Sequence, residues 1–199
     1  MSSNENIQKK QEGEVEIENS KQPVIDEEIP YEEMHPFLQE LIDEHHIYTK
    51  ELDAFEDTIA MVESGKIDRD VDDKLRQFFY YFDSKIVNYN KGGEKYLFTG
   101  ISQKTTENEN LNVIGALEGD HVKSIQMAAV AFNMLGLFSR IPDEKSRFII
   151  LDIALNQAKE LLELLKVHIY REDSIIFTYA QRNFSDEELT EIQQKTKGA

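Results

Sequence analysis

The chain has 199 residues, 40% of them hydrophobic, a formal net charge of -17 and no cysteine. This length is enough for one medium-sized domain with a core of its own. So acidic a surface repels nucleic-acid phosphates and anionic lipid, and we therefore expect neither a nucleic acid nor a membrane as partner. The lack of cysteine excludes disulfides and thiolate chemistry, so any bound metal must have nitrogen and oxygen ligands.

Residues 1–30 are rich in Glu, Asn, Gln, Ser and Lys and show no sustained hydrophobic period. Such a composition cannot bury enough apolar surface to fold. It predicts a disordered acidic tail of residues 1–30, followed by a helical domain of residues 31–199. The tail lacks the apolar core of a signal peptide, and no apolar run is long enough to span a membrane, so we expect a cytoplasmic protein.

The first predicted helix runs from about Tyr31 to Ser64 and ends at Ser64-Gly65. Its inward positions recur every three or four residues, which is the pattern of an amphipathic helix. They are Leu38, Leu41, His45, Tyr48, Leu52, Phe55, Ile59 and Val62.

The second predicted helix runs from about Asp68 to Gly100 and shows the same periodicity. Its inward positions are Val71, Leu75, Phe78, Phe82, Ile86, Tyr89, Gly93 and Tyr96 or Leu97. The polar stretch from Gln103 to Asn110 predicts a loop.

Two more long helices follow, from about Leu111 to Arg140 and from about Asp143 to Gln181, with Pro142 opening the second of them. The inward positions of the third helix are Ile114, Leu117, His121, Ile125, Ala128, Phe132 and Leu135. Those of the fourth are Ile153, Leu161, Leu165, His168, Glu172, Ile176 and Tyr179. A capping-box pattern at Ser185 opens a short last helix, to about Lys195.

Four long amphipathic helices with short connections predict an all-α fold, an up-down-up-down four-helix bundle with a short C-terminal helix. The spacing of Leu41 and His45 recurs in Leu117 and His121, which indicates a weak two-helix repeat. No clear apolar patch stands out on the acidic surface, so the sequence predicts no oligomeric state.

Three of the five histidines, His45, His121 and His168, lie in the middle of apolar stripes. Residues four apart on a helix share a face and lie about 6 Å apart, so His168 and Glu172 point the same way. A buried imidazole and carboxylate are costly unless compensated, and a metal ion is the simplest compensation. Ligands of this kind are typical of non-haem iron or manganese, with zinc as an alternative.

The pairs Glu44-His45 and Asp120-His121, with the run from His168 through Glu172 to Phe177, resemble the hemerythrin-like (HHE cation-binding) domain over about residues 36–189. That family has a histidine on the first and third helices and His-x-x-x-Glu on the second and fourth. The resemblance implies a di-iron site inside a four-helix bundle, bridged by two glutamates. It also implies ligand roles for His45, His121, His168 and Glu172.

The second helix departs from the family pattern. Tyr89 stands where the family has histidine, and Gly93 stands where it has the bridging glutamate. A shift of one residue offers Asn90 and Glu94 instead. The predicted ligand set therefore includes Tyr89, as a phenolate, and Glu94, which the flexible Gly92-Gly93 pair would let turn inward. We expect two iron ions if the second helix supplies its ligands, and one if it does not.

The resemblance implies that the protein binds or senses oxygen or nitric oxide, or handles iron itself, with an open metal position near Tyr89 and Gly93. Asp173 lies five residues after His168, where the oxygen-carrying branch has a further carboxylate, so a ligand role for Asp173 stays open. That branch also has a second histidine where Ile125 stands.

Two other functions stay open. One is a degenerate bundle without metal that acts as an interaction scaffold, with its acidic tail as one contact. The other is a ferritin-like oxidase, for which Glu118-Gly-Asp-His121 has the required Glu-x-x-His spacing once. No nucleophile elbow, phosphate-binding loop or dinucleotide fingerprint is found, so a hydrolase or another enzyme with a nucleophilic residue has no support. The sequence decides neither whether the protein turns over a substrate nor which protein it contacts.

Overall fold

The computed structural model describes residues 29–105 and 108–198, and of residues 88–93 and 108–110 it describes only the backbone. Within these ranges every regular element is helical and no strand is formed. None of the described helices is both long and apolar enough to cross a lipid bilayer. Most of the predicted tail, residues 1–28, lies outside the described residues.

The first helix, α1 (Pro36–Glu63), starts five residues later than predicted. A 3-10 turn at Tyr31–Glu33 precedes it. The reason is Pro36, which occupies the first helical position and keeps the backbone of His35 extended. His35 caps the helix by accepting a hydrogen bond from the Phe37 N–H. All eight predicted inward positions of this helix are buried, as expected.

The second predicted helix consists of α2 (Arg69–Tyr81), a π turn at Phe82–Ile86 and α3 (Val87–Lys104). A π turn holds one residue more than an α turn, so it rotates the following helix face by about 100°. Among the described side chains of α3, the buried ones are Glu94, Leu97, Phe98 and Ile101, of which Leu97 was a predicted inward position.

The predicted loop from Gln103 to Asn110 is wrong at both ends. Helix α3 continues to Lys104, and α4 (Asn108–Phe138) begins at Asn108. Polar side chains on an exposed helix turn look the same as polar side chains in a loop, so composition alone could not separate the two.

The remaining helices follow the prediction more closely. Helix α5 (Glu144–Arg171) is capped by Asp143, whose carboxylate accepts a hydrogen bond from the Ser146 N–H. A second π turn, Glu172–Phe177, leads into α6 (Thr178–Asn183). The capping box predicted at Ser185 is confirmed and opens α7 (Asp186–Lys197).

The predicted inward stripe of α4 is wrong at two of its positions. Ile125 and Phe132 are 46% and 47% exposed, whereas the neighbouring Ser124 and Ala131 are buried. At both levels the exposed side chain is the larger and more apolar of the two, so the hydrophobic period alone could not show that Ser124 and Ala131 are the buried ones. Ile153 on α5, also predicted to face inward, is exposed as well.

Buried apolar residues form two clusters, and the buried histidines lie between them. On α1, His45 is flanked by Leu41 in one cluster and by Tyr48 in the other. On α5, Leu165 in one cluster precedes His168, and Ile176 in the other follows it. A polar layer therefore crosses the middle of the protein.

We expect Phe55→Ala to lower the free energy of unfolding by about 3–5 kcal/mol, because it empties a buried aromatic site. The Phe55 ring is 2% exposed and stacks on Phe78 with ring centroids 3.6 Å apart. Denaturant unfolding measures the change. The matched control is Phe148→Ala, whose ring is exposed and which should cost less than about 0.5 kcal/mol. Equal losses in the two variants would contradict this account of the core.

Candidate metal centre

Four side chains from four helical segments converge in the polar layer. They are Glu94 on α3, His121 on α4, His168 on α5 and Glu172 at the start of the second π turn, and one ligand atom of each lies within 4.8 Å of the others. Nε2 of His121 lies 3.0 Å from Glu94 Oε2 and 3.1 Å from Nε2 of His168, which in turn lies 3.3 Å from Glu172 Oε1.

His45 approaches this quartet from the far side of Glu172. Its Nε2 lies 3.1 Å from Glu172 Oε2, and its Nδ1 lies 2.7 Å from Asp173 Oδ1. The two oxygens of Glu172 thus face different histidines, His45 and His168, which suits a carboxylate shared between two metal positions. The His45 ring also stacks on Phe177, which fixes its plane.

A second buried carboxylate stands behind His168. Oδ2 of Asp120 lies 3.8 Å from Nδ1 of His168, beyond hydrogen-bond distance, and accepts a hydrogen bond of 3.0 Å from Nη1 of Arg171. Sequence reasoning missed this pair. The only feature of the sequence that could have indicated this pair is that each residue directly precedes a predicted ligand, Asp120 before His121 and Arg171 before Glu172.

The close contacts in the quartet do not satisfy its polar atoms. Glu94 Oε2, both oxygens of Glu172 and Nδ1 of His168 are buried without a hydrogen bond of acceptable geometry to any described residue. The contacts of Glu94 and Glu172 with histidine nitrogens have the distance of an ion pair but lack the alignment of a hydrogen bond. Buried polar atoms left in this state are rare and point to a missing ion or water.

The spacing of the quartet fits one metal ion. Nitrogen and oxygen ligands that bind one ion at about 2.1 Å and at right angles lie about 3.0 Å apart. The three closest contacts between the ligand atoms are 3.0, 3.1 and 3.3 Å. Two imidazoles and two carboxylates form a donor set that suits iron, manganese or zinc.

Burial and charge act in opposite directions on these groups. Burial raises the pKa of Glu94, and the neighbouring Glu172 raises it further. Burial would also raise the pKa of Glu172, but His168 and His45 hold it below its ordinary value. Burial works to lower the pKa of His45, yet Asp173 and Glu172 raise it well above its usual range. Positive charge is thus favoured between these carboxylates, whether protons or a metal ion supply it.

A small cavity of about 20 Å³ adjoins the cluster. Such a volume holds about one water molecule. Leu52, Ile86, Leu165 and Ile169 contribute apolar walls, and the polar lining residues are His45, Tyr48, Glu94, His168 and Glu172. The cavity can therefore admit a molecule of two or three atoms but no organic substrate.

The structure brings together five of the six predicted ligands: His45, Glu94, His121, His168 and Glu172. The side chain of the sixth, Tyr89, lies outside the described residues, as does the predicted open position beside Gly93. Asp173 contacts the outer nitrogen of His45 rather than the quartet. His46 is exposed, and His35 acts as a helix cap.

Comparison with known proteins identifies no relative. No protein-family model, no curated protein and no solved structure matches this chain. The resemblance to hemerythrin-like domains therefore depends on the residues quoted above and on no wider similarity.

We expect His45→Leu to destabilise the metal-free protein by about 3 kcal/mol, because it removes one partner of a buried ion pair and leaves Glu172 without its contact at Oε2. Denaturant unfolding in the presence of a chelator measures this loss. His46→Leu is the matched control, since His46 is the next residue and is exposed, and it should change stability by less than about 0.5 kcal/mol. An unchanged free energy of unfolding in His45→Leu would show that the His45 imidazole does not stabilise the Glu172 carboxylate.

Proposed function

We propose that this protein is a hemerythrin-like non-haem iron-binding protein, whose helices form an up-down-up-down bundle around the metal centre. The helix contacts support that arrangement. Helix α1 packs against α2 and α5, α3 packs against α4, and α4 packs against α5, so each of the four predicted long segments has two neighbours in a ring. Such a ring of neighbours is typical of a four-helix bundle.

The observation that carries the proposal is the set of buried atoms in the quartet. Glu94 and Glu172 are 1% and 0% exposed, and Glu94 Oε2 and both oxygens of Glu172 lack hydrogen-bond partners among the described residues. Burial of such groups is expensive unless a cation or a hydrogen-bond donor compensates for it. A metal ion held by Glu94, His121, His168 and Glu172 would supply that compensation at Glu94 Oε2 and Glu172 Oε1 together.

The number of ions depends on the His45 side. Glu172 Oε1 belongs to the quartet, and Glu172 Oε2 faces His45, so a second ion there would share Glu172 with the first. Tyr89 remains the predicted further ligand of that second position. We propose one iron ion in the quartet and a second beside His45 if Tyr89 completes its ligand set. Manganese and zinc are the alternative metals for the same ligands.

The cavity supports a small ligand. Iron would supply a redox-active centre that can take a diatomic molecule such as oxygen or nitric oxide. The chain supplies the rest: Leu52, Ile86 and Leu165 restrict the space beside the quartet and keep bulk water away from it. Storage or transfer of iron itself would use the same ligands. The iron content measured after exposure to oxygen separates these roles from the binding of a diatomic ligand.

We expect the protein purified from iron-replete medium to contain about one to two iron ions per chain, and His168→Ala to lose at least nine-tenths of that metal. Removal of the metal should lower the melting temperature of the unsubstituted protein but not that of His168→Ala, because a bound ion stabilises only the folded state that holds it. Elemental analysis and thermal unfolding with and without a chelator measure both effects.

The control is His46→Ala, which should keep the full metal content. Absence of iron, manganese and zinc from metal-replete preparations would reject the metal proposal. It would favour the alternative in which the bundle is a metal-free interaction scaffold and protons neutralise the buried carboxylates.

We expect Asp173→Asn to weaken metal affinity at the second position, beside His45, by about 10–100-fold while the fold is kept. Asp173 Oδ1 lies 2.7 Å from Nδ1 of His45, and a carboxylate in that position orients the ring and directs its other nitrogen to the metal. Competition with a coloured chelator measures the affinity. Asp43→Asn is the control, because Asp43 is exposed and lies beside the Tyr31 hydroxyl and His46 rather than at the metal centre. Equal affinities in the two variants would exclude a role for Asp173.

A further inference from the structure

The two nitrogens of the His168 ring have different surroundings. Nε2 faces the quartet, 3.1 Å from Nε2 of His121 and 3.3 Å from Glu172 Oε1. Nδ1, on the other side of the ring, is buried and has no hydrogen-bond partner among the described residues. The carboxylate of Asp120 lies beyond it, with Oδ2 at 3.8 Å. The role proposed for His168 in the quartet therefore uses Nε2 and leaves Nδ1 to be explained.

Metal binding at Nε2 decides what Nδ1 must be. A neutral imidazole binds an ion through the lone pair of one nitrogen and carries its proton on the other. With Nε2 of His168 as ligand, Nδ1–H is a buried donor. A buried donor without an acceptor keeps the full cost of its desolvation, so this nitrogen requires an acceptor in the metal-bound protein.

Asp120 on α4 is suited to be that acceptor. Its side chain is 6% exposed, and its Oδ2 accepts a hydrogen bond of 3.0 Å from Nη1 of Arg171. A carboxylate oxygen has two lone pairs, so this bond leaves room for a second donor. The separation of 3.8 Å from Nδ1 of His168 is about 0.6 Å longer than the longest ordinary N–H···O hydrogen bond. A small rotation of either side chain closes such a gap.

We propose that Asp120 is a positioning residue of the metal centre, whose carboxylate accepts a hydrogen bond from Nδ1 of His168 when Nε2 binds the ion. This inference rests on the proposed metal function and deepens it. Such an acceptor fixes the tautomer and the ring orientation of a ligating histidine and makes its other nitrogen a better ligand. The corresponding carboxylate at His45, that of Asp173, is 33% exposed, so the hydrogen bond at His168 is the better shielded from water.

Arg171 has a separate, structural role. Its guanidinium compensates for the burial of the Asp120 carboxylate and joins α4 to the last residue of α5. Asp120 directly precedes His121 and Arg171 directly precedes Glu172, so the pair also connects two segments that carry ligands. An ion pair could serve this purpose without any contact with His168. The test must therefore separate the carboxylate from the ion pair.

Two variants make that separation. Competition with a coloured chelator measures the affinity of the metal-free protein for Co²⁺, which takes the same nitrogen and oxygen ligands as iron. We expect Asp120→Ala to weaken Co²⁺ binding by about 10–100-fold, because His168 loses the acceptor for its Nδ1–H. The matched control is Arg171→Met, which breaks the same ion pair but leaves the carboxylate in place. It should weaken binding by less than about fivefold, since Arg171 is 38% exposed and ion pairs near the surface contribute little.

Unfolding of the metal-free variants excludes a general loosening of the site. Arg171→Met should lower the free energy of unfolding at least as much as Asp120→Ala, because it leaves a buried carboxylate without its cation. Denaturant unfolding in the presence of a chelator measures both losses. Weaker Co²⁺ binding in Asp120→Ala alone then cannot result from a weakened contact between α4 and α5.

Proton NMR of the Co²⁺-loaded protein observes the hydrogen bond itself. The N–H resonance of a ligating imidazole is shifted far from other signals by the ion, and it persists in water only when the proton is protected from exchange. One such resonance should persist in Arg171→Met and be lost from Asp120→Ala. Equal affinities in the two variants, or a resonance that survives Asp120→Ala, would overturn this inference alone. An unsubstituted protein that binds neither Co²⁺ nor iron would overturn the metal proposal and this role of Asp120 with it.

Discussion

The structure depends on one buried carboxylate. Glu172 is fully buried, and its two oxygens face histidines from two different helices, His45 and His168. Each of these contacts compensates part of the cost of removing the carboxylate from water. Neither completes a hydrogen bond of good geometry, and a cation between the groups would satisfy them together. The positions of α1 and α5 and the proposed metal centre therefore follow from the same interaction.

Periodicity predicted the long helices and most of their buried faces. Apolar side chains that recur every three or four residues can be buried together on one face of an α-helix. On the second helix periodicity predicted the buried positions up to Ile86, but it could not predict the π turn at Phe82–Ile86 that changes the phase of α3. After this turn Glu94 is buried. No local residue pattern marks such a turn, so sequence reasoning could only offer Glu94 as an alternative to Tyr89.

The candidate site was predictable where its residues are polar but lie within an apolar stripe of the sequence. A histidine within an apolar stripe is visible in sequence, and His45, His121 and His168 were found in this way. Partners that look like ordinary surface residues were not visible. Asp120 and Arg171 each sit in a charged helical segment, and only the packing of α4 on α5 shows that Asp120 is buried behind His168.

The division of the apolar interior into two clusters has a consequence for cooperativity. Each half of the protein has its own set of packed aromatic and aliphatic side chains, and the layer between them is held by ionic contacts. An ion bound in this polar layer would couple the two halves, so that they unfold as one cooperative unit. Without it, the halves would open with separate free energies, and amide hydrogen exchange at the two ends would differ.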